Sequence, residues 1–337
     1  MNSRRTALRF ACLSLVLLAS AAPFAPAQAV PINVLTVDCT PLITPGPSSF
    51  GLTNTMGMAF QQIDPGALLF NVTEVTPATF STMSAAALGS YDLIAINNRR
   101  DRIDCSAAGG GGGLGTTWQS VIGVNSGGRV VLTSHDAPRF HIIVPPNSTV
   151  MGIFCPGCEP FGTFNLIRDA ALWAGGGNCT GLLIFNDAWC FDPHPSGGLG
   201  WGNPELNLPG PWQISDLQDP ACIGDGGYTD ILAAFAGHPI YANVTDARLA
   251  PNSISSFAAN VGDNAYHSAF ATHNATIFTT TEVVINSGVV DPGGFGCCSN
   301  TPTVLPNGTP LTLIRDEVCS PTPAGGDTWG GLKIRYR

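Results

Sequence analysis

Five short runs rich in Val, Ile and Leu constrain the fold of this chain more than any other feature of its sequence. They are Ile32–Val37, Leu68–Val75, Tyr91–Ile96, Arg129–Thr133 and Gly181–Phe185. Most are apolar at successive rather than alternate positions, the pattern of strands covered on both faces. The segments between them read as helices. Leu52–Ile63 carries Met56, Met58, Ala59 and Phe60 on one face, and Pro77–Leu88 has Thr76 as its N-cap and Gly89 as its stop. Thr116–Val124 is a weaker helix, and Phe164–Ala174 ends at Gly175-Gly176-Gly177. Strands alternating with segments long enough to cross over predict a parallel sheet. Its expected neighbours include Ile32–Val37, Tyr91–Ile96, Arg129–Thr133 and Gly181–Phe185.

The pattern weakens after Asp187. Residues 187–226 read as loop, Tyr228–Phe235 as a short helix, and the rest as β-rich, with strands at Ile277–Ile285, Leu311–Arg315 and Leu332–Tyr336. The 40 glycines and 27 prolines suit short elements joined by many turns. The expected architecture is α/β, a flavodoxin-like open parallel sheet with a β-rich, loop-rich C-terminal elaboration from about residue 241. Residues 30–337 carry no evident linker and are expected to form one domain.

Residues 1–29 read as an export signal. Arg4, Arg5 and Arg9 give a basic start, Phe10–Ala22 is apolar, and Ala27 and Ala29 form an A-x-A cleavage pattern. Pro23 and Pro26 interrupt the run short of the roughly 20 apolar residues a span requires, and no later segment qualifies, so no transmembrane segment is expected. Ser3–Arg9 also follows the twin-arginine pattern, except that Ala7 stands where an aromatic is usual. Both export routes stay open, and a secreted, periplasmic or cell-surface location is expected. Cleavage leaves 11 basic against 23 acidic residues, a net charge of −12, which opposes binding to nucleic acid or anionic lipid. Charged residues are only 11% of the chain, against about 25% in an ordinary soluble domain, and low charge argues against disorder, which combines low hydrophobicity with high charge.

Cys12 leaves with the signal, and an even set remains: Cys39, Cys105, Cys155, Cys158, Cys179, Cys190, Cys222, Cys297, Cys298 and Cys319. In an exported chain that argues for disulfides, with eight to ten of the ten expected to be bonded. Cys155-Pro156-Gly157-Cys158 has the C-x-x-C form of a redox pair or half a zinc site. Glu159-Pro160-Phe161-Gly162 continues its turn where a redox motif opens a helix, and no second zinc half follows, which favours a structural staple. Adjacent Cys297 and Cys298 are expected to take separate partners.

The segment Tyr91-Asp92-Leu93-Ile94-Ala95-Ile96-Asn97-Asn98, then Gly128-Arg129-Val130-Val131-Leu132-Thr133-Ser134-His135-Asp136, then His238-Pro239-Ile240, resembles the class I glutamine amidotransferase-like superfamily. The likeness is to its trehalose-utilisation, or ThuA-like, branch, and it spans Ile32 to Ile240. It implies a site loop delivered by the glycine-led strand. Glutaminase chemistry is not implied. That chemistry needs a cysteine in a G-x-C-x-G elbow, where this chain has Thr133-Ser134-His135-Asp136-Ala137, and the later His-x-Glu pair is missing as well.

An open parallel sheet takes ligands at the carboxyl ends of its strands. Polar residues stand there repeatedly, and Asp38, Asn97, Asn98, Ser134 and Asp187 are the candidate ligand-binding set. Each also suits a turn or cap. Ser134, His135 and Asp136 are the residue types of a hydrolytic triad, yet sequence neighbours cannot face one another as a triad does. The candidate catalytic set is therefore His135 and Asp136 with His267, from a Tyr266-His267-Ser268 segment folded over the sheet edge. Packing, acid–base work and metal ligation are all open to each histidine. Three functions follow, a ligand- or carbohydrate-binding or surface-associated module, a secreted hydrolase using His135 and Asp136 with a histidine from residues 266–273, and a purely structural component of a cell-surface assembly.

No cofactor or metal is expected. Gly109–Gly113 lacks the Lys-Ser/Thr of a phosphate loop, and neither Asp225-Gly226-Gly227 nor residues 187–192 have EF-hand spacing. Trp189, Trp201 and Trp212 suit stacking on sugar rings or burial. Sequons at Asn71, Asn147, Asn178, Asn243, Asn274 and Asn307 read as chance in a chain with a bacterial type of signal.

Overall fold

The structure, a computed structural model, describes residues 30–37, 56–99, 113–135, 143–144, 148–149, 161–187, 208–218, 228–244, 268–286 and 306–319. Strand β1 (Ile32–Val37) lies between β2 (Phe70–Val75) and β3 (Leu93–Arg99), parallel to both. Strand β4 (Val130–Thr133) is followed by a separate short ladder of β5 (Ile143–Val144) and β6 (Ser148–Thr149). Strand β7 (Gly181–Asp187) then inserts between β3 and β4, parallel to each. The four runs expected as parallel neighbours are neighbours, in the order β1-β3-β7-β4.

A flavodoxin-type sheet orders its five parallel strands 2-1-3-4-5. Here the fourth and fifth exchange places, since β7 returns inward across helix Phe161–Gly175. The outer side of β4 is thereby left to later strands. Strands β8 (Ser215–Gln218) and β10 (Ser268–Thr272) pair with each other, whereas β12 (Pro310–Arg315), β11 (Thr279–Asn286) and β9 (Tyr228–Ile231) continue the main sheet beyond β4. The result is an eight-stranded α/β sheet, parallel over five strands and antiparallel over the last three.

Both faces are covered. On one, helix α1 (Met56–Ile63) and the long helix at 161–175 bury Phe60, Leu166 and Ala170 against Val34, Ala95 and Leu183. On the other, α2 (Pro77–Thr82), α3 (Ala85–Leu88) and a 3-10 turn at Thr117–Ser120 bury Phe80, Leu88 and Trp118 against Ile94, Ile184 and Leu132. The long helix is α4 (Phe161–Gly175). Two glycines permit the close starts of β7 and β4. A Cβ at Gly181 would meet the Ala174 carbonyl, and one at Gly128 the Cys179 carbonyl.

Several expected elements change form. The single helix over Pro77–Leu88 is two, because Ser84 caps a second helix through the Ala87 N–H at 3.2 Å just as Thr76 caps the first through Thr79. Thr116–Val124 narrows to its 3-10 turn. Tyr228–Phe235 is not a helix. It is strand β9 followed by a 3-10 turn at Ala233–Phe235, since pairing with β11 outweighs local helix preference. The 187–226 region, read as loop, contains β8 and a 3-10 turn at Gly210–Trp212 anchored by the buried Trp212 indole.

Cys179, just before β7, is bonded to Cys319, just after β12. The other cysteines, Cys155 and Cys158 among them, lie outside the described residues, as do residues 1–29 and Leu332–Tyr336.

Candidate functional site

Register alone assembles a row of side chains across the carboxyl end of the parallel strands. Asn97 stands opposite Phe185, Phe185 opposite Thr133, Thr133 opposite Thr312, and Thr312 opposite Glu282. Strand alternation puts His135, two residues beyond Thr133, on the same face. It directs the Ser134 side chain to the other face, while the Ser134 N–H donates within the sheet to the Leu311 carbonyl of β12 at 3.0 Å. Ser134 and His135 therefore point apart and form no dyad.

The antiparallel half of this row is a closed polar cluster. Glu282 and His135 are both fully buried, and His135 Nε2 lies 2.8 and 2.9 Å from the two Glu282 oxygens. Thr312 Oγ1 donates to Glu282 Oε2 at 2.7 Å. Its single hydrogen is thus used, so at the 2.9 Å contact between Thr133 and Thr312 it is Thr133 that donates. Tyr241, from the 3-10 turn at Pro239–Tyr241, hydrogen-bonds Thr281 at 2.8 Å, and Thr281 donates to the Thr312 carbonyl. A register shift between Thr280 and Glu282 brings Thr281 into this contact.

Burial pushes the Glu282 carboxyl up. The charge and hydrogen bond of His135, with the hydrogen bond from Thr312, outweigh it, so the group lies below the usual carboxylate value and is ionised. Tyr241 is driven well above the ordinary phenol value, by burial first and the Glu282 charge second, and keeps its proton.

The parallel half is unlike this. Asn97, in the centre of the sheet, is 4% exposed, and among the described residues neither its Oδ1 nor its Nδ2 has a hydrogen-bond partner. His135 Nδ1 is also buried and has no partner among the described residues. Strands β3 and β4 are separated by β7 alone, about 10 Å at normal strand spacing.

Of the residues singled out from sequence, Asn97 and His135 thus stand at one edge on one face, and Ser134 is turned away. Asn98 is the last but one residue of β3 and Asp187 the last of β7, with only their backbone described. Asp38, Asp136 and His267 lie outside the described residues. His273 follows β10, beside the Trp212 turn on the other face, and burial lowers its pKa. Glu282, Thr312 and Tyr241 were not foreseen. The available signal was a single carboxylate in an otherwise uncharged strand, Thr279-Thr280-Thr281-Glu282-Val283-Val284-Ile285-Asn286.

No family model, curated protein or solved structure matches this chain. Among the described residues, no three His, Cys, Asp or Glu side chains group as a metal site, and no helix is long and apolar enough to cross a membrane. The edge offers an imidazole oriented by a carboxylate, with its second nitrogen unused, and an amide with its full hydrogen-bonding capacity unused. Such groups can fix a small polar molecule by hydrogen bonds in a dry setting.

Proposed function

We propose that this chain is an exported, disulfide-stapled α/β binding module that holds a small polar ligand, a carbohydrate in the leading case, at the carboxyl edge of its parallel strands. Descent from amidotransferase-like proteins without glutaminase chemistry belongs to this reading, supported by the five-strand parallel core; the exchanged order of β4 and β7 is a departure from that pattern. The observation that carries the proposal is the pair of buried, unpartnered polar groups, the Asn97 amide and His135 Nδ1. An unmet amide costs about 1–3 kcal/mol, and a ligand that meets it offsets that cost. The test is Asn97→Leu. It should raise the stability of the free protein by about 1–3 kcal/mol and remove one sugar-binding event from a calorimetric titration of the parent. A variant that is destabilised, or that keeps every binding event of the parent, sinks the reading.

One observation favours a second reading, a secreted hydrolase using His135 and Asp136 with His267. A carboxylate on one imidazole nitrogen with the other free is the arrangement of an oriented general base. Turnover of ester, glycoside or peptide substrates, lost in His135→Ala, would establish it over the first.

A further inference from the structure

At the opposite edge of the sheet, where β4 begins and β12 ends, a cleft of about 300 Å³ opens between Phe235, His238, Thr279, Ile314, Asp316 and Val318. That volume is near the lower end for small-molecule pockets and suits a single ring rather than a chain.

The charges around the cleft fall into two groups. Arg315 is held by the carbonyls of Gly123, Ser126 and Gly128 and lies over the Trp212 ring. Arg129 donates to the Trp173 carbonyl at 2.9 Å and lies over its indole. Glu317 accepts from the Asn178 N–H at 2.8 Å and its Nδ2 at 2.7 Å. These three are spent on the fold. Asp316 has no hydrogen bond among the described residues, and its charge acts on His238. His238 Nδ1 accepts the Ile240 N–H at 3.4 Å, which puts the proton of the neutral ring on Nε2. Burial lowers the His238 pKa and keeps that ring neutral, against the opposing pull of Asp316. Phe235 and Trp173 pack edge-on around the imidazole, with centroids 6.2 and 5.0 Å away.

The cleft therefore presents one free acceptor, one N–H donor and a half-buried aromatic wall. Asp316 and Glu317 balance Arg129 and Arg315, so no net charge selects an ion. We propose that this cleft binds a single neutral sugar ring, with hydroxyls on the Asp316 carboxylate and the His238 imidazole and a C–H face against Phe235. The site is distinct from the carboxyl edge and does not depend on the function assigned there.

The test is calorimetric titration of the mature protein with free glucose, galactose, mannose and N-acetylglucosamine. At least one should bind, and Asp316→Asn should weaken it about tenfold or more, the loss of one charge-assisted hydrogen bond. Val318→Trp, which fills the cleft from an exposed position, should abolish it. Asp316 and Val318 are exposed, so both variants should keep the parent Tm. Asn97→Leu should leave this binding unchanged. The proposal is overturned if none of the four sugars binds, or if the binding that Asn97→Leu retains survives both cleft variants. It also fails if Asn97→Leu removes the binding while Asp316→Asn does not, or if propylamine outcompetes the sugar.

Discussion

The two edges of one sheet handle polar side chains in opposite ways. At the carboxyl edge, Glu282 and His135 are sealed together and satisfied largely by side chains, Thr312 among them. At the amino edge, Arg315 and Arg129 donate to backbone carbonyls, with Arg315 Nε left without a partner among the described residues, and Asp316 stays exposed. Strand β12 links them, since Thr312 belongs to the first cluster and Arg315 to the second. The difference teaches where strength and adaptability can lie. A buried pair fails badly when halved, whereas an exposed carboxylate beside an open cleft can be changed freely.

Halving the pair is the harshest way to probe that contrast. Glu282→Leu should cost about 3–5 kcal/mol in urea denaturation, because an unpaired imidazole is left buried, and adding His135→Leu should recover most of the loss. A double variant as unstable as the single one would show that the cluster does more than satisfy two buried groups. Next in size is the disulfide. Replacing Cys179 and Cys319 with serine should cost about 2–5 kcal/mol, and hydrogen exchange should rise first at the amides of residues 318 and 319, which donate to the Gly127 carbonyl. Faster exchange at the His135 amide before those two would contradict the separation of the edges.

Acidification should act on both, in sequence. His238 and His273 have lowered pKa values, so below about pH 6.5 the unfolded chain takes up protons the folded one resists, and stability falls as pH drops. Glu282 is also lowered, so its contribution is complete above about pH 4.5 and is lost as pH falls further. Tm measured against pH should therefore decline in two stages, and His238→Gln should diminish only the upper one. The smallest effect belongs to Asp316→Asn, within about 0.5 kcal/mol of the parent.

The parallel core was legible because its strands are apolar on both faces, which leaves few alternatives for Val130-Val131-Leu132 or Leu182-Leu183-Ile184. The order of those strands was not, since β4 and β7 are equally apolar and only the packing of α4 decides which lies inside. Tyr228–Ile231 was misread because its partner, β11, lies some fifty residues further on, and a local pattern cannot report it. His135 was visible as a strand-end polar residue. Its function as half of a pair was not, because Glu282 is 147 positions away. Asn97 was found by position alone, and nothing in the sequence distinguishes it from a turn-capping asparagine.

The inward return of β7 has a consequence for how the molecule assembles. Strand β4 is flanked by β7 and β12, both later in the chain, and the Thr133–Thr312 contact spans 179 positions. While the chain is being made, the strand that carries His135 has neither neighbour, and its apolar faces wait for partners that arrive after it. Local helices cannot substitute for those contacts, so the closing of the sheet's centre is a late event with a high loop-closure cost. Such topology belongs to the slow end of folding rates, where an unpaired Val-Val-Leu strand is open to pairing with another chain.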